Sequence, residues 1–154
     1  HANCCLKDKS LKACDIVCIP FILYKNNSLL KDNYYDKIII ISFNNKILQV
    51  LNIHGIWTAD KKGDERTIKE CQFVVDTALK KDLPTIITGD FNLSPQTESI
   101  RIINKHFTNL IDKFKIQTTR PDFKDNIEEG NNVVDFIFVN SKIKVNDLKC
   151  FTLI

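Results

Sequence analysis

Pro84-Thr85-Ile86-Ile87-Thr88-Gly89-Asp90-Phe91-Asn92-Leu93-Ser94-Pro95 is the stretch that decides the reading of this chain. Thr85 to Thr88 is a short run rich in β-branched residues, the composition of a buried strand. Gly89 then permits close backbone approach. In an extended backbone, side chains two apart share a face, so Asp90 and Asn92 would project together beyond the strand end while Phe91 turns into the core. A carboxylate beside a neutral amide suits phosphate chemistry. The carboxylate holds a divalent cation or accepts a proton from water, and the amide hydrogen-bonds a phosphate oxygen or the nucleophile without repelling it. The competing account is a plain strand-to-helix turn, because Gly, Asp and Asn are common turn formers. Ser94-Pro95 reads as the start of a helix, Ser as N-cap and Pro at the first position, with Ile100, Ile103, Phe107 and Leu110 as its apolar stripe.

Upstream, Ile38 to Phe43 and Ile47 to Ile53 are β-branched runs joined by Asn44-Asn45-Lys46, a hairpin signature. Asp64 predicts a helix cap, and Ile68, Cys71, Val75, Ala78 and Leu79 follow a helical period up to Pro84. Asn52-Ile53-His54-Gly55 closes the second of those strands. A histidine there can donate to a phosphate oxygen or protonate a leaving group near neutral pH, although a surface histidine is the commoner explanation. Downstream, Val133 to Val139 and Ile143 to Phe151 read as two further strands around a turn near Asn140-Ser141. Asp135 lies inside the first, where a carboxylate is costly to bury unless it is paired or ligates a metal. Strict alternation puts it on one face with Val133, Ile137 and Val139, and a structural ion pair competes with a functional role. Strands mixed with helices, some joined by hairpins, indicate an α/β or α+β layered domain with mixed sheets.

The first 33 residues read poorly: a short helical stretch, an apolar run from Asp15 to Ile19, then a polar segment from Lys25 to Ser28. The organisation expected is therefore a weakly assigned segment 1–33 and one domain over 34–154. Apolar residues at 44% and charged residues at 27% are the balance of a globular protein rather than a disordered tail. Apolar runs such as Ile38 to Ile41 are far too short to span a bilayer, and no secretory signal is evident. A net charge of +3 comes from scattered lysines and does not by itself point to nucleic acid. Of the six cysteines, Cys71 and Cys150 fall in apolar segments, where the free thiol behaves as a small hydrophobe. Cys14 and Cys18 have no second ligand pair at zinc-like spacing. The expectation is free thiols, no disulfide, and a reducing cytoplasm.

Three elements in order, the His54 strand end, the Gly89-Asp90-Phe91-Asn92 turn and the Asp135 strand, with a helix between the first two, resemble the endonuclease/exonuclease/phosphatase superfamily. The likeness covers about Lys37 to Phe151, and Thr118-Thr119-Arg120 is similar to bacterial members of uncharacterised substrate. The resemblance implies a partial two-sheet β-sandwich flanked by helices, as in the deoxyribonuclease-like fold. It also implies a phosphodiesterase or nuclease-like hydrolysis assisted by Mg²⁺ or Mn²⁺. By that resemblance Asp90 activates water or holds the metal, and Asn92 orients the phosphate and shares the metal site. His54 binds phosphate or assists the leaving group, Asp135 orients a histidine on the next strand, and Arg120 touches substrate. Arg66 matches a recurrent basic residue that braces the fold. Nucleic acid is the leading substrate class.

The sequence departs from the family at both ends. Asp15-Ile16-Val17-Cys18-Ile19 resembles the start of the family's second strand but runs into Pro20-Phe21 without the metal-binding Glu, and the closing Ser-Asp-His motif is missing. A truncated or degenerate hydrolase domain is the reading that follows. A non-catalytic phosphate- or nucleic-acid-binding module on the same fold is the alternative. An unrelated α/β domain would scatter Asp90, Asn92, His54 and Asp135 in space.

Overall fold

The computed structural model describes residues 3–6, 16–17, 37–43, 46–119 and 132–151. Strand β1 is Asn3–Leu6, β2 Ile16–Val17, β3 Lys37–Phe43 and β4 Lys46–His54. Helix α1, Glu65–Leu79, leads to strand β5, Thr85–Asp90. Helix α2 (Glu98–Asn104), strand β6 (Thr108–Asn109), helix α3 (Leu110–Lys113), strand β7 (Asp135–Val139) and strand β8 (Leu148–Phe151) follow. The strands form a mixed five-stranded sheet in the order β3-β4-β5-β7-β6 and a three-stranded antiparallel sheet in the order β2-β1-β8. This is a mixed α/β architecture with the expected hairpin, β3 against β4.

Among the described strands only β4 and β5 run parallel, and α1 is the crossover between them. Its start is fixed by a capping box: the Asp64 carboxylate accepts from the amides of Arg66 and Thr67, and the Thr67 hydroxyl accepts from the Asp64 amide. Thr67, Glu70, Cys71, Val74, Val75 and Ala78 are buried. Leu79, expected in the apolar stripe, is instead 51% exposed, because the helix turns its last residue away from the sheet. Gln49 of β4 lies with Leu51 and Ile53 on the sheet face toward α1, where its Nε2 donates to the Ala78 carbonyl at 3.2 Å. On that same face Phe136 and Phe138 meet Phe91, with centroids 5.6 Å apart and near-perpendicular Phe91 contacts. Edge-to-face pairs of this kind are each worth about 1 kcal/mol beyond the area they bury.

The second helix does not start at Ser94-Pro95. The Ser94 amide donates to the Lys61 carbonyl, and the Ser94 carbonyl accepts from both the amide and the hydroxyl of Thr97. These bonds hold 94–97 as a turn, and Thr97 becomes the cap of α2 by accepting from the Ile100 amide. The stripe Ile100, Ile103, Phe107 and Leu110 is buried as expected, yet α2 stops at Asn104. Pairing of Thr108 and Asn109 with Val139 and Phe138 replaces further helix, and Asn109 caps α3.

Two strands are shorter than their apolar runs. Val133 and Val134 precede β7 because the Val134 amide and carbonyl bond Thr119 and Phe91 rather than a ladder neighbour. Residues 143–147 precede β8: Ile143 closes a turn onto Asn140, and Val145 offers its carbonyl to Lys113. At the N-terminus, where a short helical stretch was expected, Asn3–Leu6 is a strand that pairs with β8. Leu148 of β8 joins the buried core. No helix among the described residues is long and apolar enough to cross a membrane.

Candidate functional site

The register of the large sheet assembles the site. His54 pairs with Asp90 across β4 and β5, and Asp90 pairs with Asp135 across β5 and β7. Paired residues share a face, so the three side chains stand side by side where β4 and β5 end and β7 begins. That face is the one opposite Gln49 and α1, since side chains alternate along β4. His54 is exposed, while Asp90 and Asp135 are half-buried. Three residues far apart in sequence are therefore neighbours rather than scattered in space.

Asn92 joins them by a different route from the extended one. The strand ends at Asp90, and Asn92 has φ +55°, a left-handed conformation that Asn tolerates better than most residues. Its amide N–H donates to Asp90 Oδ1 at 2.8 Å, an Asx-type closure of the turn. Its side chain is folded in, 6% exposed: Nδ2 donates to the Gly55 carbonyl at 3.0 Å, and Oδ1 accepts from Lys61 Nζ at 3.0 Å. Gly55 is required here, since a Cβ on it would lie 2.4 Å from the Phe91 carbonyl oxygen. The Gly55 amide also donates to the Asp90 carbonyl at 2.7 Å, so the loop after His54 and the turn after β5 are stitched together.

A third loop comes in at Asp135. The Thr119 hydroxyl, fully buried, accepts from the amides of both Val134 and Asp135 at 3.2 Å, and the Thr119 amide donates to the Asn132 carbonyl at 2.9 Å. Arg120 lies outside the described residues, as do Cys14 and Cys18. Thr119→Val keeps the shape but orphans two amides, so it is expected to lower stability by about 2 kcal/mol. An unchanged urea midpoint would show that the two amides find other partners.

Glu70, Lys61 and Trp57 are site neighbours that sequence reasoning missed. Buried Glu70 on α1 accepts the Ile56 amide at 3.2 Å and so anchors the loop after His54. Its signal was available, because Glu70 stands beside Cys71 and three residues after Thr67 on the buried helix face. Lys61, 7% exposed, sits in a run of polar residues that reads as solvent-facing. Arg66 behaves as a brace, paired on the surface with the capping Asp64. The Arg66 guanidinium, and after it the helix amides, hold the Asp64 carboxyl below its ordinary 3.8 against the opposing effect of desolvation. A depressed folded-state value stabilises above the unfolded pKa and is lost as pH falls through the folded one. Asp64→Asn keeps an oxygen for the cap. The stability gap between it and the parent is expected to be widest above pH about 4 and to close in stronger acid. Parallel urea curves for the two proteins across that range check it.

The donor set for a divalent cation is partial. Among the described residues no cluster of three His, Cys, Asp or Glu side chains is placed to hold a metal. Asp90 offers a carboxylate with Asp135 opposite, and Mg²⁺ commonly takes one or two carboxylates and completes its shell with water and substrate phosphate. Asn92 does not fit as a ligand: an ammonium 3.0 Å from its Oδ1 repels a divalent cation at that oxygen.

No family model matches the sequence, and no curated protein matches it. Solved structures do. An endonuclease/exonuclease/phosphatase family protein from Bacteroides thetaiotaomicron superposes with a TM-score of 0.50 at 21% identity, over 64% of this chain and 37% of that one. The chain has the endonuclease/exonuclease/phosphatase fold. A second protein of that name, from Bacteroides vulgatus, gives a TM-score of 0.49 at 18% identity over 64% of this chain and 40% of its own. The mannosyl-6-phosphatase Bt3783 of Bacteroides thetaiotaomicron gives 0.43 at 21% identity over 62% and 37%. The chain thus spans about two-fifths of the length of these endonuclease/exonuclease/phosphatase structures.

Proposed function

We propose that this chain carries the phosphate-facing part of a phosphoester hydrolase site, of phosphodiesterase or nuclease type. The observation that supports it is the register His54–Asp90–Asp135 across three adjacent strands, with Asn92 bonded to Asp90 at the same edge. In this reading Asp90 accepts a proton from water or faces Mg²⁺ or Mn²⁺, which when bound neutralises charge on the phosphoryl oxygens. Asn92 donates to a phosphate oxygen, and His54, exposed at the rim, donates to phosphate or to the leaving group. Asp135 beside Asp90 keeps the edge acidic and orients a basic partner. Nucleic acid is the substrate class proposed, with Arg120 as a further contact. Hydrolysis of bis(4-nitrophenyl) phosphate and of single-stranded DNA, each with Mg²⁺ or Mn²⁺ and with chelator, tests the reading. Metal-dependent turnover supports it. Saturable phosphate binding without turnover favours the non-catalytic module on the same fold, and neither result leaves the fold without this function.

A further inference from the structure

We propose that Lys61 is a positioning residue that fixes the Asn92 amide as an N–H donor; the inference deepens, and in its phosphate arm rests on, the phosphoester-site reading of Asn92. A lysine only 7% exposed is uncommon, because burying an ammonium is costly unless it is partnered. Lys61 is also held at φ +56°, a conformation lysine rarely adopts and one that tends to persist where the surroundings impose it. Its carbonyl accepts from the Ser94 amide at 2.8 Å, which ties the backbone of Lys61 to the segment directly after Asn92. The Nζ reaches Asn92 Oδ1 at 3.0 Å and lies 5.0 Å from the centroid of the Trp57 ring, a cation–π contact, while Trp57 itself is 66% exposed.

These contacts determine which way the amide faces. An ammonium only donates and the Gly55 carbonyl only accepts, so Oδ1 must face Lys61 and Nδ2 must face Gly55. The amide nitrogen carries two hydrogens, and Gly55 takes one of them. The other is the donor for a phosphate oxygen, strengthened by the positive charge that polarises the same amide through its oxygen. Without Lys61 the Oδ1 side loses the one donor that reaches it among the described residues, and the amide is free to rotate, presenting oxygen, which repels phosphate, as readily as nitrogen.

The test follows the Asn92 side-chain amide pair in ¹H–¹⁵N spectra, assigned by its loss in Asn92→Asp, with inorganic phosphate as the probe. In the parent protein the two hydrogens are expected to be well separated, and one should move as phosphate is added. In Lys61→Met the pair should converge toward ordinary asparagine values, and apparent phosphate affinity should fall about tenfold, the size of one charge-assisted hydrogen bond. Lys61→Arg, which restores a cationic donor, should recover both readouts in part. If Lys61→Met does not fold, Lys61→Gln supplies the same comparison with an uncharged, shorter side chain. A folded Lys61→Met with unchanged Asn92 resonances overturns the proposal, as does a loss of stability with no change at Asn92. A Lys61-dependent Asn92 pair that ignores phosphate in the parent supports the orienting contact and rejects the phosphate reading of the site.

Discussion

Asp90→Asn is expected to lower the metal-dependent phosphodiester hydrolysis proposed for this chain about a thousandfold, the scale of losing a general base. The asparagine keeps an oxygen for the Asn92 amide that Asp90 now receives at 2.8 Å, so the turn should survive. It also removes one of two carboxylates paired in register across β5 and β7, where like charges oppose each other. The thermal midpoint should therefore stay level or rise slightly while activity collapses, the pattern of a site that trades stability for chemistry. Parallel measurement of turnover and unfolding checks both halves. Undiminished turnover would remove Asp90 from the site, and a large drop in the midpoint would make it a structural residue.

Gly89→Ala is expected to cost more than about 3 kcal/mol, a large share of a typical domain's 5–15 kcal/mol. Two effects coincide. Gly89 has φ +138°, which side-chain-bearing residues rarely adopt, and a Cβ there would stand 2.0 Å from the carbonyl oxygen of Ile53. That oxygen belongs to the backbone of the paired strand, since Ile53 is opposite Gly89 in the parallel ladder. It cannot yield without pulling β4 from β5, and the next pair along is His54 and Asp90. The variant should thus lose stability and separate the site together. Denaturant unfolding gives the answer, and a loss under about 1 kcal/mol would mean that the two strands relax apart at little cost.

Much of this was legible in the chain. The hairpin β3–β4, the capping of α1 by Asp64, the strand before Gly89 and the burial of Phe91 follow from periodicity and local bonds, which depend on neighbours within a few residues. Boundaries were misjudged where a distant partner outbid the local signal. Ser94 is drawn to Lys61, so α2 is capped by Thr97 and begins at Glu98; β6 pairs with β7, so the Ile100–Leu110 stripe breaks into two helices. Val134 spends its backbone bonds on Thr119 and Phe91, so β7 starts only at Asp135.

The candidate site divides the same way. Sequence alone indicated a histidine closing β4 and a glycine and carboxylate directly after the strand from Thr85, whereas it set Asp135 inside a strand that the structure shows it opening. The alternation of side chains along a strand follows from backbone geometry. What only the tertiary structure decided is register and orientation. Whether His54, Asp90 and Asp135 share one edge depends on how three strands slide against one another, and a slip of one residue would send every side chain to the other face. Whether Asn92 offers oxygen or nitrogen depends on Lys61, thirty-one residues away, a lysine that local sequence places in solvent and that packing buries beside the amide it orients.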